Sequence, residues 1–475
     1  MHPITRIAPS PTGPLHIGTA HTALYNFLFA RKEGGKFILR IEDTDIKRSD
    51  PKMTQCIINS LKWLGLEYDG KIYMQSDRFP IYKEYAEKLL DSKLCYFCYC
   101  TPEEIEERKQ LAISQKASWK YDRKCLNLAN VGAYCNTPPR NSHYAIRFFI
   151  PEGKLSFDDE LRGKLEKDLG EIEDFVVLKS DGTPSYNLAC VIDDHLLNIT
   201  HVIRGEDHIS NTFKQLLLYK AYGWEPPKFI HLPMILGPDR SKLSKRHGAT
   251  SIIEYQQQGI LPEAIVNFLA LLGWSPGGDR EFFSFNELIE LFSLDRLSST
   301  PSIFDMKKLE WMNGEYIKKL SDVELLDRIL NLPANRKPQT ENREYVLKVV
   351  NLLKPRMQRL TDFMKFSSYF FEGPVEYEKD GVDKYFKLPE TYNRLALVKE
   401  RFSGLKEFNI ETIESSIRKL ADELGIKASL LIHPIRLALT GITGGPSLFH
   451  IVETLGKETT IIRIEKALTF LSKFK

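Results

Sequence analysis

Along the first third of the chain, the spacing of apolar residues switches between that of strands and that of helices. Ile4, Ile7 and Ala8 stand just before Pro9-Ser10-Pro11, which predicts a brief buried strand broken by proline. Gly13-Pro14 predicts a turn. From His16 to Lys32 the apolar positions Ala20, Ala23, Leu24, Phe27 and Leu28 form one helical stripe. Arg31 and Lys32 suit the negative end of that helix, and Gly34-Gly35 stops it. Phe37-Ile-Leu-Arg-Ile41 then reads as a buried strand, and residues 52–65 and 80–93 as further amphipathic helices.

A strand, a helix and a second strand in this order are the start of a Rossmann-type sheet. Ligands of such sheets bind beyond the carboxyl ends of the strands, where Glu42 and the Pro9-Ser10 turn fall. Between residues 95 and 190 the pattern changes. A cysteine cluster, a charged helix near 102–117 and short strands such as His143–Ile150 suggest an insertion, and Phe175–Tyr186 leads back to the nucleotide-binding fold. Val202-Ile-Arg204-Gly-Glu-Asp207-His208 reads as a sheet strand ending in polar groups. From about residue 320 the pattern is helical to the end, with 331–342 as a loop.

A chain of 475 residues calls for several domains, and 42% hydrophobic with 27% charged residues describes an ordinary globular protein. The net charge of +3 does not announce nucleic acid, so any RNA surface must come from local clustering. Met-His-Pro-Ile-Thr-Arg lacks the apolar core of a signal peptide, and no apolar run approaches the ~18 residues of a membrane span. Seven cysteines, three of them in Cys95-x-x-Cys98-x-Cys100, suit a reducing compartment and a metal site better than disulfides. The expected location is the cytoplasm.

Two short motifs carry the chemistry. His16-Ile-Gly18-Thr19 opens the first helix, where free N–H groups and the dipole favour a phosphate. Gly18 presents no side chain to a flat adenine, and His16 can donate to a phosphate oxygen. Lys242-Leu-Ser244-Lys245-Arg246 lies in a loop far downstream. When a carboxylate attacks the α-phosphorus of ATP, charge builds on the phosphates, and mobile lysines that clamp them lower the barrier. Each motif alone could be a solvated turn. Together they resemble the HIGH and KMSKS signatures of class I aminoacyl-tRNA synthetases. Arg6-Ile-Ala-Pro-Ser-Pro-Thr-Gly, Ile41-Glu-Asp-Thr-Asp45, Trp311-Met-Asn-Gly-Glu-Tyr316 and Pro434-Ile-Arg-Leu-Ala-Leu-Thr-Gly441 resemble the glutamyl-tRNA synthetases of bacterial type from end to end. Thr19 stands where the general motif has its second histidine.

The resemblance implies site roles. His16, Lys242 and Lys245 would be catalytic, and Gly18, Thr19, Lys242, Ser244 and Lys245 would bind ATP. Arg6, Ala8, Ser10, Glu42, Tyr186 and Arg204 would hold glutamate, with arginine on a carboxylate and Glu42 on the ammonium. The plainer reading of Arg6 and Glu42 is an internal ion pair. Cys98, Cys100 and Cys125, with Tyr121 at the spacing of a variant ligand, look like the structural zinc site of some relatives. Cys95 and Cys135 are rival fourth ligands, Asn127 replaces the histidine some relatives carry, and a metal-free loop of cysteines is the alternative.

Between 336 and 365, Arg336, Lys337, Arg343, Lys348, Lys354, Arg356, Arg359 and Lys365 face only Glu341, Glu344 and Asp362. Such a run is usually a solvated helix face; after a synthetase domain it suits an anticodon loop, with Lys348 and Arg356 as tRNA ligands. By the resemblance Arg356 reads the third anticodon base and favours cytosine, hence tRNA(Glu) over tRNA(Gln).

The expected architecture is an α/β Rossmann-type class I catalytic domain with an inserted α+β acceptor-binding domain, followed by an all-α anticodon-binding region. Its parts are 1–79 and 187–238 for the catalytic domain, 80–186 for the insertion, 239–320 for a stem-contact region and 321–475 for the helical region. The implied function is ATP-Mg²⁺-dependent ligation of L-glutamate to tRNA(Glu) through glutamyl-adenylate, by a monomer away from membranes. A non-discriminating enzyme that also charges tRNA(Gln) is the alternative. Glutaminyl enzymes typically have a β-barrel anticodon region, and the glutamyl-queuosine enzyme has no anticodon domain. A small-molecule nucleotidyltransferase would not need the helical part, and a non-catalytic tRNA-binding protein would not need His16 and Lys242.

Overall fold

The computed structural model describes residues 2–115, 119–130, 143–244, 246, 251–332, 340 and 342–474. The chain divides into two compact units, Met1–Tyr255 with Ile265–Asp305, and Gln256–Ala264 with Met306–Lys475.

The first unit opens with β1 (Ile4–Ile7), α1 (Ile17–Lys32), β2 (Lys36–Ile41), α2 (Pro51–Trp63) and β3 (Tyr73–Met74). Its three strands pair in parallel in the order β1-β2-β3. α3 (Phe79–Asp91), β4 (Cys95–Cys98), α4 (Pro102–Ser114), α5 (Lys124–Asn130), β5 (Ala145–Phe148), β6 (Lys154–Asp159), β7 (Gly163–Asp168) and β8 (Phe175–Leu178) follow. Here β4, β5 and β8 form an antiparallel sheet, and β6 and β7 a hairpin. The chain then returns to parallel pairing through α6 (Tyr186–Leu196), β9 (His201–Gly205), α7 (Ile209–Tyr222) and β10 (Lys228–Leu232). The hairpin joins that sheet where Asp159 meets Phe229. Thr200 N–H donates to the Ile4 carbonyl at 2.9 Å, which sets β9 beside β1.

The strands and helices expected near the amino terminus are present, but α1 is buried more widely than its stripe implies. Tyr25 and Asn26 lie off the stripe and are still 1% and 0% exposed. Each is held by its polar end: Tyr25 Oη donates to the Ala270 and Leu272 carbonyls, and Asn26 Nδ2 to the Ile203 carbonyl. The turn after α1 needs both glycines. Gly34 has φ +63°, and a Cβ on Gly35 would lie 2.0 Å from the Pro3 carbonyl oxygen.

Among the described residues every regular element of the second unit is helical, as expected from residue 320 onward. Leu325, Ile329, Val349, Val350, Phe363, Phe402, Ile435 and Ile464 lie in one core. Helix periodicity supplies these positions, and mutual burial of the apolar faces stabilises the bundle.

Candidate active site

The carboxyl ends of β1, β2 and β9, the mouth of α1 and the segment after β10 surround a cavity of about 430 Å³. Of the residues expected at the site, Arg6, Ala8, Ser10, His16, Gly18, Thr19, Glu42, Tyr186, Arg204 and Lys242 line it. Ser244 is half-buried and lies outside that lining, and Lys245 lies outside the described residues.

His16 caps α1. Its Nδ1 accepts the Gly18 N–H at 3.1 Å, so the neutral ring carries its proton on Nε2 and presents a donor. Partial burial, with Lys242 nearby, lowers its pKa and keeps it neutral at physiological pH, against a smaller opposing effect of Glu254. A Cβ at Gly18 would meet only His16 Nδ1, at an ordinary 3.5 Å. The fold therefore leaves room for a side chain there. Lys242 follows a turn closed by Gly237 N–H to the Ser241 carbonyl, and its Nζ is 3.9 Å from Asp207.

Arg6 does form a buried ion pair, though not with Glu42. Its Nε and Nη2 donate to Asp194 at 3.2 and 3.4 Å, and no described residue accepts from its Nη1. Arg40 Nη1 reaches the same carboxylate at 2.5 Å, while its Nη2 touches Glu42 at 3.4 Å. Burial raises the Asp194 carboxyl, but Arg6 and Arg40 overcome it and hold the pKa at about 2. Burial raises Glu42, against Arg40 and Arg6. Asp193, behind them, accepts from Arg78, Gln75 and Tyr82.

Arg204 is different. It is 5% exposed, and no described carboxylate lies within ion-pair distance. Its partners are neutral: His231 Nε2, the Tyr186 hydroxyl, Thr212 Oγ1 and Gln215 Oε1. A buried guanidinium without a counter-ion is costly unless a ligand supplies one. Tyr186 Oη accepts from Arg204 and lies 3.0 Å from His208 Nδ1.

Asp193, Asp194 and His231 were not expected at the site, and Arg40 and His208 were expected only as members of strands. The available signal was charge inside apolar runs: Arg40 in Phe37–Ile41, and Asp193-Asp194 after Leu188-Ala-Cys-Val-Ile192.

A second constellation lies in the inserted segment. Sγ of Cys98, Cys100 and Cys125 all lie within 4.8 Å of one another, Cys100 and Cys125 at 3.6 Å. The edge of a tetrahedral zinc–thiolate set is about 3.8 Å, so three sulfurs at this spacing suit one ion. The Tyr121 hydroxyl stands 3.2 Å from Cys98 and 3.5 Å from Cys100. Arg147 donates to Cys98 at 3.3 Å, Arg108 to Cys100 at 3.1 Å and the Tyr99 N–H to Cys125 at 3.3 Å. The hydrogen bond from Cys125 outweighs burial and, with Tyr121 and Arg147, lowers the Cys98 thiol pKa. Cys95 packs instead in the core with Tyr82, Leu89 and Phe148, and Cys135 lies outside the described residues.

In the second unit four cations of the run pair with described carboxylates. Arg343 pairs with Asp327, Lys348 with Glu344, Lys354 with Asp322 and Arg359 with Glu310. Arg356 is exposed in the turn Lys354–Arg356 and has no hydrogen bond or ion pair to a described residue. Arg336, Lys337 and Glu341 lie outside the described residues.

The family described as "tRNA synthetases class I (E and Q), catalytic domain" matches residues 4–311, and an "Anticodon binding domain" matches residues 317–468. Glutamate–tRNA ligase 2 of Caldicellulosiruptor saccharolyticus is 44% identical over 97% of this chain and 98% of its own. Glutamate–tRNA ligase 1 of Caldanaerobacter subterraneus is 45% identical over 98% of each chain. The crystal structure of a glutamate tRNA ligase from Elizabethkingia meningosepticum in complex with its amino acid superposes with a TM-score of 0.87. It is 33% identical and covers 99% of this chain and 100% of its own. With the catalytic-domain family matched over residues 4–311 and relatives matched over nearly their whole length, the chain belongs to the glutamyl-tRNA synthetase family of class I aminoacyl-tRNA synthetases.

Proposed function

We propose that the cavity joins L-glutamate to tRNA(Glu) in two steps, at the expense of ATP. The observation that carries the reading is Arg204, a buried cation facing a cavity whose other wall is the phosphate-binding mouth of α1. Arg204 and the free Nη1 of Arg6 take the carboxylates of glutamate, and Glu42 takes its ammonium. Ala8 and Ser10 line the turn after β1, and Tyr186 orients Arg204 by accepting its Nη1. Adenine lies against Gly18 and Thr19. His16 Nε2–H donates to the phosphates, and Lys242, Ser244 and Lys245 close on them as pyrophosphate leaves with its Mg²⁺. The glutamyl carboxylate attacks the α-phosphorus to give glutamyl-adenylate, and the terminal ribose hydroxyl of tRNA then displaces AMP. Glutamate-dependent ATP–pyrophosphate exchange tests this reading. Exchange that needs tRNA supports it, and exchange driven equally by glutamine overturns it.

Cys98, Cys100, Cys125 and Tyr121 would hold one structural Zn²⁺; three thiolates exceed its double charge, and Arg108 and Arg147, which donate to the sulfurs, offset the excess. Residues 80–186 form an acceptor-stem domain inserted between catalytic halves 1–79 and 187–238, residues 239–320 contact the stem, and 321–475 bind the anticodon. There the exposed Arg356 reads the third anticodon base with Lys348 on the backbone, which restricts charging to tRNA(Glu). Among the described residues no helix is long and apolar enough to cross a membrane. The enzyme works as a monomer in the cytoplasm.

A further inference from the structure

What steadies Arg204 comes partly from outside the strand that carries it. Its Nε donates to His231 Nε2 at 3.3 Å, and the Thr212 hydroxyl lies 2.9 Å from the same nitrogen. A ring nitrogen that accepts bears no hydrogen, so neutral His231 has its proton on Nδ1. That Nδ1 lies 2.7 Å from Asp159 Oδ2, and the same oxygen accepts the His231 backbone N–H at 3.1 Å. Both side chains are fully buried. Asp159 is itself fixed at the end of β6, where its Oδ1 accepts the N–H groups of Leu161 and Arg162 at 3.0 and 2.9 Å.

We propose that Asp159 and His231 are positioning residues for glutamate selection: Asp159 sets the imidazole tautomer, and His231 Nε2 aims the Arg204 guanidinium at the substrate carboxylate. The proposal rests on the reading of Arg204 as the carboxylate ligand. Contrast with Arg6 shows what the arrangement does. Asp194 sits directly on Arg6 and neutralises it. On Arg204 the carboxylate is set back by one imidazole ring, so the cation is oriented while its charge stays available. The charged and titratable groups facing His231 are Asp159 on β6, Arg162 in the hairpin turn, Arg204 on β9 and His208 just beyond it. Arg162 is balanced by Glu206 at 2.5 Å. Burial lowers the His231 pKa against the hydrogen bond to Asp159, so the ring accepts at physiological pH.

Asp159→Asn tests this in the full chain with tRNA present. An amide at 159 can donate to Nδ1, which moves the ring proton to Nε2 and sets it against the Arg204 N–H. The glutamate KM should rise about 10- to 100-fold, the scale for losing an outer partner of a liganding group, with the ATP KM and kcat little changed. Asp159→Glu, which keeps the acceptor, should recover part of the loss. In the wild type the glutamate KM should climb as pH falls through the His231 pKa, because protonation also places a hydrogen on Nε2. In Asp159→Asn and in His231→Gln that acid-side climb should vanish. An unchanged glutamate KM in Asp159→Asn, or equal losses for ATP and glutamate, overturns the proposal. If Asp159→Asn does not fold, His231→Gln decides: persistence of the acid-side climb overturns the proposal, its loss supports it. Arg204→Gln separates the underlying reading, since an unchanged glutamate KM there would reject Arg204 as the ligand itself.

Discussion

Asp194→Asn should damage both the fold of the first unit and its use of glutamate. Asp194 is the shared anion of two buried guanidiniums, Arg6 at 3.2 Å and Arg40 at 2.5 Å. A carboxyl held at about 2 instead of its ordinary 3.8 is stabilised in its charged form by about 2.5 kcal/mol, at 1.36 kcal/mol per pH unit. Removing one partner of a buried pair costs about 3–5 kcal/mol, because the cation left behind remains buried. The two figures agree in scale, and the larger applies to Arg6, whose one described carboxylate partner is Asp194, while Arg40 keeps Glu42 and Asp193. The first unit should therefore melt on the order of 10 °C lower. The surviving protein should show a raised glutamate KM, because Arg6 loses the two bonds that direct its Nη1 to the cavity. The pH dependence has a definite sign. The folded pKa is depressed, so the stabilisation is complete above the unfolded value near 4 and is lost as pH falls toward 2. Calorimetry between pH 7 and pH 3 on wild type and variant reads both effects. A variant that melts with the wild type at pH 7, or whose deficit does not shrink on acidification, refutes the reasoning.

Gly18→Ala should fold normally, since its Cβ meets nothing closer than 3.5 Å, yet should raise the ATP KM sharply. A normal ATP KM would show that adenine does not lie there. His16→Ala and Lys245→Ala should each lower kcat by about 10²–10³ with little change in glutamate KM, as for one preorganised donor to developing charge. Near-normal turnover in steady-state assays would remove these roles. Elemental analysis should find about one zinc per chain, as the ligand count requires, and Cys98→Ser should lose it. Zinc retained at full occupancy in Tyr121→Phe would show that the phenol is no ligand. Arg356→Gln should relax discrimination against tRNA(Gln) by about 1–3 kcal/mol, the scale of one base contact. Efficient glutamylation of tRNA(Gln) by the wild type would contradict the assignment.

The order of side chains alone determined the local parts of this site. The strand ended by Pro9, the helix opened by His16, the Gly34-Gly35 stop and the strand reaching Glu42 each follow from period, caps and breakers within a few residues. The two nucleotide motifs are short, and their chemistry is written in residue type. The helical second unit was also legible, because its apolar positions keep one period for most of its length. Tertiary structure decided which charges meet. Arg6 and Arg204 look alike in sequence, each an arginine in an apolar strand. Only the fold brings Asp194 onto one and leaves the other with neutral partners and a carboxylate one imidazole away. The Tyr121 hydroxyl reaches Cys98 and Cys100 while nearby Cys95 faces the core. Arg356 finds no carboxylate among the described residues, while Lys354 and Arg359 do. Periodicity reports burial one element at a time. The partner of a buried charge is set by elements far apart in the chain, and in a medium of low dielectric that partner decides whether the charge is spent on the fold or kept for the substrate.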